Sequence, residues 1–218
     1  MYIIKTPKLI RKLFPNYLWN KSRKKPYVYF TFDDGPIPEV TPWVLDTLQE
    51  SGMKATFFCV GDNVRKHSKI YNRLIAEGHS VGNHSYSHKS GWSTQAEKYL
   101  DDVELCGSFV ESNLYRPPYG RLKPQQAEAL RHDYKIVMWD VLSGDFDPNI
   151  TAEQCYQNVI QNIKRGSIIV FHDNVKSFAT LKEVLPRVIE YCQENGLTSK
   201  AINYLSQSVS TEKELAIA

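Results

Sequence analysis

Residues 27–32 (YVYFTF) form a run of aromatic, β-branched and apolar positions that stops abruptly at two carboxylates, Asp33 and Asp34, followed by Gly35-Pro36. The pattern predicts a strand that ends in a turn. Helical spacing follows over residues 40–49, where Thr41-Pro42 suits a first turn, Val44, Leu45 and Leu48 share one face, and Gly52 lies just past the end. Residues 55–60 (ATFFCV) are apolar enough for a strand buried on both faces. The alternation continues with helices over 63–77, 93–109, 124–131, 151–163 and 180–194, and strands over 79–82, 114–116, 135–141, 167–171 and 198–204. Seven strands alternating with helices predict an α/β fold with a parallel sheet, either open and doubly wound or closed into a barrel, and periodicity alone does not choose.

Composition narrows the class. A chain of 218 residues with 42% hydrophobic and 23% charged positions fits one globular domain and excludes disordered and fibrous classes. No apolar run reaches the roughly 18 residues of a membrane span, and no N-terminal stretch resembles a signal peptide, so the expectation is a cytoplasmic protein. Residues 1–25 hold eight basic residues and no acid, which leaves 19 basic against 24 acidic residues in the remainder, a balance of −5. Nucleic-acid binding is therefore not expected. The division expected is a basic arm (1–25), one domain (26–205) and a polar tail (206–218) that frays. In the arm, Leu9, Ile10, Leu13, Phe14, Tyr17 and Leu18 keep roughly helical spacing around Pro7 and Pro15. Two readings stand: a peripheral anchor on the inner membrane surface, or, preferred, an arm that packs its apolar side on the domain and leaves its lysines solvated. The four cysteines show no metal-ligand spacing and read as free thiols.

The chemistry-bearing residues all follow strands: Asp33-Asp34, then His84 and His88, then Arg116 to Gly120, then Asp145, then His172-Asp173. In a parallel sheet these ends share one face, where α/β proteins place their sites. His84 and His88, four apart, would lie on one side of a helical turn and can close on one metal ion. With one carboxylate the set is His₂Asp, which suits zinc, while manganese, cobalt or nickel also use nitrogen-and-oxygen sites. One aspartate can bind metal while the other stays free as a base. Arg116, stiffened by two prolines, reads as a guanidinium aimed at a buried carboxylate, and His172, emerging from the apolar run IIVF, as a general acid.

TFDDGP at 31–36, HSYSH at 84–88, RPPYG at 116–120 and VFHD at 170–173, in this order, resemble the polysaccharide deacetylases of the NodB-homology type, carbohydrate esterase family 4. The resemblance covers most of residues 27–204. It implies a distorted (β/α)7 barrel in a single domain and a metal-dependent hydrolase that removes acetyl groups, N- or O-linked, from an amino-sugar-containing saccharide or glycan. It further implies a divalent metal on Asp34, His84 and His88, Asp33 as catalytic base held by Arg116, the Tyr119 N–H facing the oxyanion, and His172 as acid. The family's fourth motif usually reads Asp-x-x-Asp-Trp, whereas this chain has Leu142-Ser143-Gly144-Asp145-Phe146. The first acid, which normally orients the catalytic histidine, is absent, leaving Asp145 or Asp140 as substitutes; Val170 also stands where the family has leucine. Trp92, Trp139, Tyr86 and Tyr119 are candidates for stacking on sugar faces. The competing expectations are a carbohydrate-binding protein with weakened chemistry and a small-molecule amide hydrolase on the same fold.

Overall fold

A computed structural model describes residues 2–203. The elements in chain order are α1 (Lys8–Leu13), β1 (Tyr27–Asp33), α2 (Val40–Glu50), β2 (Ala55–Cys59), α3 (Gly61–Lys66), α4 (Ser68–Ala76), β3 (Ser80–Asn83), α5 (Ala96–Gly107), β4 (Leu114–Tyr115), α6 (Pro124–Leu130), β5 (Lys135–Ile136), β6 (Val141–Leu142), α7 (Ala152–Ile160), β7 (Ile168–His172), α8 (Phe178–Glu194) and β8 (Thr198–Ser199).

The strands form one parallel sheet in the order β5-β4-β3-β2-β1-β7-β6, with β8 pairing the start of β1. It is a curled half-barrel in which β1 is central and helices cover the outside. All residues of β2 are buried, as are four of the five in β7, which explains why these strands read as continuous apolar runs. The rings of Phe57, Phe32 and Phe171, in register on β2, β1 and β7, stack at centroid distances of 5.1 and 5.7 Å. This aromatic layer lies next to the strand ends, so Asp33 and His172, also register partners, are held against a rigid core. All four cysteines are free and buried. No helix among the described residues is long and apolar enough to cross a membrane.

Three elements of the domain depart most from the sequence expectation. The helix expected over 63–77 breaks at His67, whose φ of −127° is not helical. The strand expected over 135–141 divides into β5 and β6. Its middle carbonyls, Val137 O and Met138 O, accept hydrogen bonds from Nε (3.2 Å) and Nη2 (3.1 Å) of Arg116 and not from a neighbouring strand. The last strand is only two residues long here, and residue 204, with the expected tail 206–218, lies outside the described residues.

The N-terminal arm differs most. Its backbone joins both edges of the half-barrel: Leu18 N–H donates to Ile136 O (2.8 Å) and Leu18 O accepts from Met138 N–H (2.9 Å) at one edge, and Leu142 N–H donates to Ile4 O (2.9 Å) at the other. Trp19, Tyr17 and Ile10 pack inward, but Leu9, Leu13 and Phe14 face outward. The lysines were expected in solvent, yet Lys5 Nζ reaches Asp140 at 2.9 Å, joined there by Arg11 Nη1 and Arg23 Nη2 at 3.2 and 2.8 Å. Asp140 is fully buried, and a buried carboxylate requires countercharge, so the arm is held by charge in addition to the apolar packing that was expected.

Candidate active site

Strand β1 delivers Asp33 into a buried position beside Arg116, whose side chain is itself fully buried. Arg116 Nη1 donates to Asp33 Oδ1 (2.6 Å) and Thr31 Oγ1 (2.8 Å), and its Cζ sits 4.1 Å from the centroid of the Phe58 ring. With Nε and Nη2 on the two carbonyls of the strand break, the guanidinium has one permitted orientation. Burial lowers its pKa from the ordinary value, against the pull of the Asp33 charge. The carboxylate is thereby fixed as well.

The next residue, Asp34, has φ 85°, a left-handed conformation that side-chain-bearing residues rarely adopt and that accompanies functional constraint. Asn63 Nδ2 fixes its carbonyl (2.8 Å) and Asn174 Nδ2 its Oδ2 (2.6 Å). The other oxygen, Oδ1, lies 3.0 Å from His88 Nε2 and 3.6 Å from His84 Nε2, yet it is buried without a hydrogen-bond partner. Burial would raise the Asp34 pKa, but the His88 contact and the charge of His172 outweigh it and hold the carboxyl well below the usual range.

The two histidines do not share a helical turn. His84 follows the end of β3, and the segment to His88 is a loop in which Ser85 and His88 have φ of 60° and 56°. Asp102 on α5 holds that loop, accepting from the N–H groups of Tyr86 (3.1 Å) and Ser87 (3.0 Å) and from the Ser87 hydroxyl (2.7 Å). His84 Nδ1 lies 2.7 Å from Arg116 O. A carbonyl only accepts, so Nδ1 carries the proton and Nε2 offers a lone pair toward Asp34. Burial lowers the His84 pKa to about 4, which keeps this imidazole neutral. One ligand atom from each of Asp34, His84 and His88 falls within a 4.8 Å group able to hold a metal ion. An orphaned buried oxygen beside an available imidazole lone pair fits a divalent cation.

On the other side of β1, His172 at the end of β7 is held by Asp145. Asp145 Oδ1 lies 2.8 Å from His172 Nδ1, and Oδ2 accepts from the His172 backbone N–H at 2.7 Å. The Ser143 hydroxyl donates to Oδ1 (3.0 Å) and Phe146 meets the imidazole edge-on at 5.0 Å. Burial alone would lower the His172 pKa, but Asp145, with smaller contributions from Asp34 and Asp33, raises it to about 9. Of the two acids considered as the histidine's partner, Asp145 stands beside it, whereas Asp140 is occupied by the arm.

Tyr119 lies in the short turn Pro118–Gly120 with φ 59°; the residue is 60% exposed and its ring is set edgewise on His88 at 4.7 Å. Gly120 and Arg121 N–H close the turn on Pro117 O and Pro118 O, while the Tyr119 N–H makes no hydrogen bond among the described residues. Trp92 is 63% exposed, and the Arg121 guanidinium lies 5.2 Å from its ring and 5.8 Å from that of Tyr119. The other aromatic candidates differ: Trp139 packs against buried clusters, and Tyr86 turns to Phe109 and Asp62.

Sequence reasoning assigned no role to Asn63, Asn174, Asp102 or Asp173. Asp173 accepts from Gly35 N–H (3.1 Å) and the Thr41 hydroxyl (2.6 Å), and a Cβ at Gly35 would lie 2.0 Å from its carboxylate, so the turn after the two aspartates admits only glycine. Burial pushes the Asp173 carboxyl up to about 8; the Thr41 hydrogen bond opposes this and the Asp34 charge adds to it. The adjacency of Asp173 and Asn174 to His172 was the available signal.

Comparison with known proteins identifies the family and the fold. Residues 20–137 match the polysaccharide deacetylase family. A peptidoglycan-N-acetylglucosamine deacetylase of Bacillus cereus is 34% identical over 163 residues, spanning 72% of this chain and 59% of that protein. The peptidoglycan-N-acetylmuramic acid deacetylase PdaA of Bacillus subtilis is 31% identical over 207 residues, covering 90% of this chain and 77% of PdaA. The crystal structure of the Bc1960 peptidoglycan N-acetylglucosamine deacetylase superposes with a TM-score of 0.79 at 29% identity, covering 90% of this chain and 95% of that one. The chain belongs to the polysaccharide deacetylase family, the NodB-homology deacetylases of carbohydrate esterase family 4. Its sheet is the half-barrel form of that family's (β/α)7 fold.

Proposed function

We propose that the protein is a metal-dependent deacetylase that hydrolyses the N-acetyl group of an amino sugar in a peptidoglycan-type glycan, leaving a free amine and acetate. One observation carries this reading: an Asp-His-His group with an unpartnered buried oxygen adjoins an arginine-held aspartate whose strand neighbour is an aspartate-held histidine. Relatives named for deacetylation of peptidoglycan amino sugars supply the substrate class.

A divalent ion, zinc being the first choice and manganese, cobalt or nickel the others, would be held by Asp34, His84 and His88 and would supply Lewis-acid polarisation and a more acidic water. Asp33, fixed by Arg116, takes the proton of the attacking water. The Tyr119 N–H, having no partner of its own, donates to the oxygen that becomes negative as the carbonyl carbon turns tetrahedral. His172, with its pKa raised to about 9, is protonated at neutral pH and gives its Nε2 proton to the departing amine, while Asp145 on Nδ1 fixes the ring and offsets its charge. Tyr119, set on His88, and Trp92, which shares the Arg121 guanidinium with it, are exposed aromatic residues on which a sugar face can stack.

The test is acetate release from N-acetylglucosamine oligomers, peptidoglycan and acetylxylan, with and without chelator. Release that chelator abolishes and added metal restores is expected. Tight saccharide binding with no acetate from any of the three would instead make the protein a binder, and turnover of simple amides alone would make it a small-molecule hydrolase.

A further inference from the structure

A cavity of about 430 Å³ opens between the N-terminal arm and the turn before β7, separate from the residues above, and five cations line it: Lys5, Lys8, Arg11, Arg23 and Lys164. Three of these reach Asp140 behind the wall, so one buried carboxylate stands against five positive charges and an excess of four remains. Lys8 and Lys164 are exposed and form no ion pair among the described residues. Such a concentration of one sign favours an anion with several oxygens, of which phosphate is the natural type.

Helix α1, which contributes Lys8 and Arg11 to the cavity, has no buried residue. Arg11 and Ile10 turn inward and hold it to the domain. Leu9 and Leu13, four apart on one face, are 67% and 65% exposed, and Phe14, which follows, is 46% exposed. Lys8 and Lys12 lie alongside the leucines at the same spacing. A soluble phosphate would account for the cavity and leave Leu9 and Leu13 without a purpose, while Phe14 stacks only partly covered on Tyr17. A bilayer that carries anionic phospholipid accounts for both, because its surface combines phosphates with an apolar layer just beneath.

We propose that the arm is a docking surface for an anionic phospholipid bilayer, with headgroup phosphates received by the basic cavity and Leu9, Leu13 and Phe14 entering the interfacial layer. The pinning by Asp140 makes this a rigid face on the catalytic domain and not a loose tether.

The test is flotation of the full chain with phosphatidylcholine vesicles with and without phosphatidylglycerol. Binding is expected only with phosphatidylglycerol and weakens as salt rises. Lys8→Glu with Lys164→Glu should weaken it by at least about fivefold for each lysine, since one basic residue near an anionic surface contributes about that factor. Leu9→Ser with Leu13→Ser should weaken it as well. Acetate release from a soluble oligosaccharide reports that each variant is folded, because none of the four residues lies at the active site. Equal binding to both vesicle types overturns the proposal. So does glycerol phosphate bound in solution while the leucine variant keeps full vesicle affinity, which would mark a soluble-anion site. Self-association lost in the leucine variant, without vesicle binding, would overturn it in favour of contact between copies.

Discussion

Asp140 and Asp34 are two carboxylates drawn out of water with opposite outcomes. Both oxygens of Asp140 are used: three cations and the Ser167 hydroxyl (2.6 Å) converge on it. Burial would raise its pKa, but hydrogen bonds from Lys5, Ser167 and Arg23 outweigh this and lower it. Around Asp34 an asparagine fixes one oxygen, and the other faces two imidazoles without a hydrogen bond. A saturated buried charge holds parts of a chain together; an unsaturated one, kept in place by its neighbours, is available for a ligand. The first case occurs where the arm meets the sheet edge and the second at the carboxyl ends of the strands.

The comparison can be broken most severely at Asp34. Asp34→Ala should lose metal binding and acetate release together, read by metal content and turnover; retained metal would remove it from the ligand set. Next in size, Asp33→Asn and His172→Ala should keep metal and lower kcat by roughly 10²–10⁴-fold, the usual contribution of one acid–base group. Near-normal turnover of either would displace the assigned base or acid. Asp140→Ala should cost about 3 kcal/mol of stability, toward the low end for a broken buried ion cluster because its cations retain some solvent contact, while kcat below the melting transition stays unchanged. The sign with pH follows from the depressed pKa. The Asp140 contribution is present above the unfolded value of about 3.9 and is lost as pH falls through the lower folded value, so the variant and the parent should converge in stability in strong acid. The smallest effect sharpens the comparison. Asp145→Asn should lower kcat/KM less than His172→Ala and move the alkaline limb of its pH profile to lower pH, because Asp145 is what raises the His172 pKa. An unmoved limb would assign that limb to another group.

Much of this was legible because it is local. Strands β1, β2 and β7 are buried on both faces and therefore read as apolar runs, and the polar residues that end them stand out against that background. The fold and family expectations followed from these runs and motifs and agree with the structure and the comparisons. The break between β5 and β6 was not legible, since residues 135–141 look like one strand until a buried arginine just past the end of β4 claims two of their carbonyls. Nor was the loop between His84 and His88, where spacing suggested a helical turn and Asp102 instead stabilises left-handed backbone.

By itself the sequence determined which residue types end which strands: the two aspartates, the two histidines, the arginine before two prolines and the histidine after IIVF. Only the tertiary structure decided their partners. Asp145 and not Asp140 stands beside His172, 27 residues away, and Asp140 instead receives Lys5 from 135 residues away. The physical reason is that hydrophobic periodicity records which face of an element is buried, within a few residues. Which buried charge meets which is settled by countercharge across the assembled sheet, where distance along the chain carries no information.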